Sequence, residues 1–328
     1  MKLDIAAATE LVLSAMMSAG FDADEAQMTT DQIIGCELRG LTIGGLSRAL
    51  SIIERVHAGP DPTGRIEITR ETPVSALING HDNSGYIVAP LATKMAIEKA
   101  TRMGLAAVGA YNSWYTGMFS HYMDIATRAG LVALCVGSSA PRVAPYGSSE
   151  GRFGTNPIAF GFPTADDPII LDFGTSKIMM ADCVLSERLK QPLKEDSAYD
   201  RDGHPTTDPF EAVLGAFQVF GGHKGSGLAI AIQMLGIMVG GGLFPPDNKE
   251  SAFFIICIRP DLFGDARETR ERFSEYAAAV RTARPLNAAS SVRMPYDRSA
   301  ANVRKHLAQG WFETSESLVE ALRALARR

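Results

Sequence analysis

From Ile66 onward, short apolar runs alternate with stretches of helical spacing, and this alternation constrains the fold more than any other feature of the chain. PVSALING (73–80) precedes a helical stretch near 89–103. LAAVGAY (105–111) precedes another near 117–129, and GLVALCVGSS (130–139) follows. Strand-like runs separated by helical patterns of this length predict an α/β arrangement. NPIAFGFP (156–163), DPIILDFG (167–174) and SAFFIICIRP (251–260) add further strand-like runs. Outside this region apolar residues recur every three or four positions, over 3–20, 25–57, 263–283 and 314–327, which predicts helices. The polar segment 187–210 reads as a long surface loop. GLAIAIQMLGIMVGGGLF (227–244) reads as a buried helix, too short and too glycine-interrupted for a membrane span.

A chain of 328 residues, 46% hydrophobic and 21% charged, has the make-up of a globular protein with a sizeable core. Its net charge of −5 argues against a nucleic-acid binder, which would carry a basic stripe. Cys36, Cys135, Cys183 and Cys257 are far apart and form no CxxC pair, so reduced thiols and a cytoplasmic location are expected. The apolar N-terminal stretch is interrupted by Asp4 and Glu10 and fits a helical stripe better than a signal peptide. Three regions follow: an N-terminal helical segment over 1–72, a central α/β cofactor and substrate domain over 73–262, and a C-terminal helical segment over 263–328 that completes the N-terminal domain.

Several short segments carry candidate chemistry. GGHKGSG (221–227) leads into the apolar helix, so its backbone N–H groups and helix dipole suit an anion, with His223 and Lys224 adding donors. The alternative is an ordinary glycine turn, since the spacing is not that of a Walker A loop. LDFGTSK (171–177) ends a strand with a carboxylate, a glycine, two hydroxyls and a lysine, where α/β sheets gather ligands, although a plain strand-to-loop cap reads the same way. No GxGxxG follows a strand, so the Rossmann fingerprint is absent, and no GxSxG elbow marks a serine hydrolase. The six histidines make no HxH or HExxH pair, and no metal site is expected. LRGLTIGGLSR (38–48) has two flanking arginines and three glycines, but no strong acid, base or metal ligand at its centre.

In order along the chain, LRG-x-x-x-x-G-x-x-R (38–48), NS near 112, VAPYG (143–147), GTNPIAFGFPT (154–164), DFGTS (172–176), DGHPTTDP (202–209) and GGHKGSGLA (221–229) together resemble the malate/L-lactate dehydrogenase-like oxidoreductases. That family includes ureidoglycolate dehydrogenase, diketogulonate reductase, sulfolactate dehydrogenase and piperideine-carboxylate (cyclic imine) reductase. The resemblance implies a family-specific mixed α/β fold, not Rossmann, with the helical N- and C-terminal segments packed together. It implies NAD(H) or NADP(H) as cofactor, a small-molecule substrate, and a homodimer with the site near the subunit interface. Cofactor contacts would come from Asp172, Phe173, Gly174, Thr175, Ser176 and Lys177, from His223 and Lys224, and from Pro295, Tyr296 and Asp297. Arg48 matches an arginine near the substrate carboxylate, and Ser139 and Thr155 fall near substrate-binding positions.

The resemblance also answers the question posed by the loop. Where this chain has LTIGG, the family usually reads IDSHG, so its serine and catalytic histidine fall at Ile43 and Gly44. A second family histidine falls at Tyr115, the usual PGE near the C-terminus reads PYD, and the loop aspartate matched by Asp200 lacks the histidine it would orient. Reducing a ketone needs a proton at oxygen, and a positioned acid is worth about 10²–10⁴ in rate. Tyr115 is the first candidate to supply it, helped by a cation such as Lys177 or Lys224, and His121 is the second. A C=N substrate relaxes the demand, because it can be protonated before hydride arrives. The expected activity is therefore NAD(P)H-dependent hydride transfer to a small carboxylated substrate, a cyclic imine or another C=N, activated C=C or C=O group. A non-redox isomerase or lyase, or an inactive paralogue, is the alternative.

Overall fold

A computed structural model describes residues 1–246, 249–287 and 291–326. Its centre is a sheet in the order Glu67–Thr72, Ser75–Ser84, Leu105–Trp114, Ser251–Ile258, Val132–Ser138, Ile158–Phe162 and Ile169–Phe173. Ser75–Ser84 and Leu105–Trp114 run parallel, joined by the crossover helix Gly85–Met103. The remaining neighbours are antiparallel. The fold is thus mixed α/β and lacks the parallel doubly wound sheet of a Rossmann domain, as expected.

Period-two alternation sends the side chains of the strand Ser251–Ile258 to opposite faces. Phe253, Ile255 and Cys257 join a core with Val88, Ala92, Ala96, Phe119 and Tyr122, under the helices Gly85–Met103 and Phe119–Arg128. Ala252 and Phe254 join Val136, Ile158, Ile232 and Val239 on the opposite face, under the helix His223–Met238. That helix is not buried all round. Its inward side carries Ala229, Ile232 and Gly236, while Ile230, Met234, Ile237 and Met238 are exposed. Its sequence is apolar on every side, so periodicity alone could not reveal the open face.

The two chain ends meet, as the resemblance implies. Lys2–Asp4 pairs antiparallel with Trp311–Glu313, and Leu3, Val12, Ile33, Ile52, Phe312, Val319 and Leu322 share one core. The helix Asp297–Gln309 is tied to the helix Ala23–Arg39 by Asn302 Nδ2, which donates to the Arg39 carbonyl at 3.0 Å, and by His306 Nδ1, 2.8 Å from the Leu38 carbonyl oxygen.

The helical pattern expected over 25–57 is broken. Asp22 and Glu25 form a capping box that starts the helix Ala23–Arg39, and Gly40 ends it with φ 74°, a conformation glycine adopts without steric penalty. A single 3₁₀ turn, Thr42–Gly44, leads to the helix Leu46–Ala58. The expected surface loop 187–210 is also partly ordered. Ala198–Tyr199 and Pro205–Thr206 pair with each other, and with Ala216–Gln218 and Val143–Ala144 they make a small second sheet. Strands of two residues are too short to show alternation in sequence.

Candidate functional site

The segment after the strand Ile169–Phe173 lies against the segment that enters the helix His223–Met238. Lys177 N donates to the Gln218 carbonyl at 2.7 Å, Ser176 bridges Val219, and Phe220 N donates to the Thr175 carbonyl at 3.0 Å. The Phe173 and Phe220 rings meet edge to face at 5.5 Å. Thr175 is fully buried, and both its N–H (2.7 Å) and its hydroxyl (3.0 Å) donate to the Thr155 carbonyl. Ser139 lies alongside, since a Cβ on Gly154 would fall 2.3 Å from its Oγ. Residues 172–177, Ser139, Thr155 and the 221–224 turn are therefore brought together.

At this junction the helix His223–Met238 begins with Gly222 (φ 60°) and has no side-chain cap. His223 and Lys224 are exposed on its first turn, and the Tyr146 ring of VAPYG stands edge-on to His223 at 6.1 Å. A Cβ on Gly225 would lie 1.8 Å from the Phe220 carbonyl oxygen, so only glycine lets the helix start this close to the loop. An uncapped helix N-terminus in a glycine cradle, with a cation beside it, fits the phosphates of a dinucleotide.

Not every side chain expected at the cofactor faces it freely. Asp172 Oδ2 accepts the Ser120 N–H at 2.7 Å. The helix Phe119–Arg128 has Met118 at its N-cap and no local side-chain cap, so Asp172 supplies one from the neighbouring strand end. Burial raises the Asp172 carboxyl above its ordinary range. Lys177 Nζ donates to the Asp196 carbonyl (2.7 Å) and to Gln218 Oε1 (2.9 Å). Tyr296 OH accepts from Arg39 Nε at 2.9 Å, and Arg39 also pairs with Asp124 at 3.3 Å. Asp297 binds Arg281 and the Met294 N–H, and with Arg281 and Arg304 it lines a cavity of about 390 Å³ by the C-terminal segment. Asp200 accepts the N–H groups of Asp202 and His204, each at 2.9 Å, within its own turn.

The proton-handling candidates come from the strand end at Trp114, the helix Leu46–Ala58 and the helix that Asp172 caps. The Arg48 guanidinium is 4.8 Å from the Tyr115 ring centroid, so the cation at Tyr115 is Arg48, while Lys177 is held by Asp196 and Gln218. Tyr115 has φ 50° and meets Trp114 edge-on at 5.4 Å. Beneath it Tyr86 is fully buried, and among the described residues its hydroxyl has no hydrogen-bond partner. His121 sits in the first turn of the helix Phe119–Arg128, against Tyr122 and close to Arg39 and Asp124. Burial, and then the Arg39 charge, hold its imidazole down to about 4, so it is neutral near pH 7.

Two residues absent from the sequence-based set stand out. Glu37 is 3% exposed, its Oε1 accepts the Leu46 N–H at 2.7 Å, and burial pushes its carboxyl up to about 7. An acidic residue three and four positions after Ile34 and Ile33, on their helix face, was the available signal. Met118 packs against Gly44, a contact that sequence spacing does not disclose. Among the described residues no group of three or more His, Cys, Asp or Glu side chains is arranged to hold a metal ion. No helix among them is long and apolar enough to cross a membrane.

Comparison with known proteins agrees with the fold. The model of the malate/L-lactate dehydrogenase family matches residues 3–323. The malate/(S)-sulfolactate dehydrogenase of Methanothermus fervidus is 31% identical over 326 residues, covering 96% of this chain and 94% of the relative. The (2R)-3-sulfolactate dehydrogenase (NADP(+)) of Chromohalobacter salexigens is 27% identical, over 97% of this chain and 96% of that protein. The crystal structure of a dehydrogenase from Sinorhizobium meliloti superposes with a TM-score of 0.91 at 29% identity, covering 99% of this chain and 98% of the other.

Proposed function

Because the chain belongs to the malate/L-lactate dehydrogenase family and is an NAD(P)-dependent oxidoreductase, we propose that it reduces a small carboxylated cyclic imine. The observation that carries this reading is the Arg48–Tyr115 pair, which stands where ketone reduction would call for a histidine acid. Arg48 is the cation for the substrate carboxylate. Tyr115 is the donor or polariser at the reacting group, its ring held against the guanidinium that would take the carboxylate.

The cofactor supplies hydride when bound. The residues that hold it in this reading are Gly174, Ser176, the N–H groups at His223 and Lys224, and Phe173 with Phe220 as an apolar wall. Asp172 and Thr175 hold the shape of that loop from inside through Ser120 and Thr155. Tyr296 fixes Arg39 beside the helix that Asp172 caps.

A homodimer formed through the open apolar face of Ile230, Met234, Ile237, Met238, Leu243 and Phe244 belongs to the same reading. Light scattering on the purified chain tests it. A cytoplasmic location fits four buried free thiols.

The experiment for the activity compares steady-state turnover of a cyclic imino acid with that of pyruvate, using NADH and NADPH in turn. A clear preference for the imine is expected, and equal rates would refute it. Calorimetry with either nucleotide comes first: a chain that binds neither loses the reductase reading altogether.

A further inference from the structure

The resemblance implies an acid/base histidine at the position of Gly44, which is buried at the end of the 3₁₀ turn Thr42–Gly44. Its backbone is not in the left-handed region, so the conformation alone would accept a side chain. The space is tight. A Cβ on Gly44 would stand 3.0 Å from Cys36 Sγ and 3.1 Å from both Cγ and Sδ of Met118. Contacts this short force the neighbour to move.

The Met118 backbone is held, so the movement falls to its side chain. Met118 follows the turn in which Tyr115 has φ 50° and Gly117 has φ 68°, and a Cβ on Gly117 would strike Gln32 Oε1 at 1.7 Å. Its carbonyl accepts the His121 N–H at 3.2 Å as the helix Phe119–Arg128 begins. Cys36 is fixed in the helix Ala23–Arg39, and burial keeps it a neutral thiol.

We propose that Met118 is a specificity-determining residue of this site: it fills the volume of a side chain at position 44 and makes the wall next to Arg48 a thioether and a thiol. This rests on the imine reading above. Hydride arriving at a ketone carbon leaves the C=O π pair on oxygen, and a proton must then be supplied there. Hydride arriving at an iminium carbon leaves the C=N π pair on a nitrogen that already bears its proton, and no donor is needed on that wall. A surface without an acid therefore admits the second class and fails the first.

Two measurements test the proposal. The first is a thermal double-mutant cycle with Gly44→Ala and Met118→Ala. Gly44→Ala is expected to lower Tm by about 4 °C in the wild type and by much less in the Met118→Ala background. An equal drop in both would overturn it. The second is turnover of pyruvate by G44H, M118A and G44H/M118A. The double variant is expected to gain about 10²-fold over the wild type, and G44H alone is expected to gain nothing. A gain in G44H equal to that of the double variant would also overturn the proposal. Cyclic imino acid turnover is run alongside. If the wild type shows none while the 44–118 coupling and the pyruvate gain persist, the imine reading falls and the role of Met118 stands.

Discussion

Arg48 lies over the face of Tyr115, with its guanidinium carbon 4.8 Å from the ring centroid. The contact couples the residue that would hold a substrate carboxylate to the one that would polarise the reacting group. Tyr115→Phe keeps the ring, and with it the stacking on Arg48 and Trp114, and removes only the hydroxyl. Because the iminium arrives already protonated, the hydroxyl only polarises and positions it, and turnover of the imine is expected to fall by about tenfold with KM little changed. An unaltered kcat would rule the phenol out. Arg48→Ala should do the reverse, raising KM for carboxylated substrates.

His121 and Tyr115 are separable by the same assay. Neutral near pH 7, His121 has no imidazolium proton to give. His121→Gln is therefore expected to cost far less turnover at pH 7–8 than Tyr115→Phe. The depressed value has a stability consequence of definite sign: the unfolded imidazole, near 6.5, binds a proton before the folded one, near 4. The contribution of His121 is complete above about pH 6.5 and is lost as pH falls toward 4. Urea midpoints between pH 4 and 7 should drop less steeply in His121→Gln.

Glu37 titrates in the opposite sense. Its folded value near 7 exceeds the ordinary 4.5, so its stabilising contribution is complete below about pH 4.5 and is lost as pH rises through about 7. The gap corresponds to roughly 3 kcal/mol at most. Glu37→Gln keeps an acceptor for the Leu46 N–H and carries no charge to bury. It is expected to raise the urea midpoint at pH 8 and leave it nearly unchanged at pH 4.5. A variant less stable at both pH values would mean the carboxylate is held by something other than that one bond.

These residues show where sequence stops being informative. The strands Ser75–Ser84, Leu105–Trp114, Val132–Ser138, Ile158–Phe162, Ile169–Phe173 and Ser251–Ile258 were legible because their apolar runs are longer than four residues and bounded by turn formers. The junction of 172–177 with 218–224 was legible only as two separate glycine-bearing strand and helix ends. What joins them is backbone hydrogen bonding, such as Phe220 N to the Thr175 carbonyl, and no side-chain pattern encodes that. Asp172 illustrates the limit. Its position at the end of a strand identified it, but its carboxylate turns inward to cap a helix 52 residues earlier. Met118 gave no signal at all, because its role is volume beside a glycine 74 positions away in the chain, and volume has no period.

The junction itself yields the last prediction. Gly225 sits in the first turn of the helix His223–Met238, where alanine would ordinarily be favoured over glycine by about 1 kcal/mol. Here a Cβ would fall 1.8 Å from the Phe220 carbonyl oxygen, a backbone atom that cannot swing aside. Phe220 N is bonded to the Thr175 carbonyl, so relieving the clash would pull the 218–220 segment off 175–177. Gly225→Ala should therefore destabilise the fold by roughly 1–3 kcal/mol despite its helix propensity. At temperatures where the variant remains folded, it should also weaken nicotinamide binding at least tenfold by calorimetry. Gly227→Ala, two residues on, meets nothing within 4 Å and serves as the control. It is expected to keep affinity and to match or exceed wild-type stability. Equal behaviour of the two variants would show that the close approach at Gly225 is not what shapes the cleft.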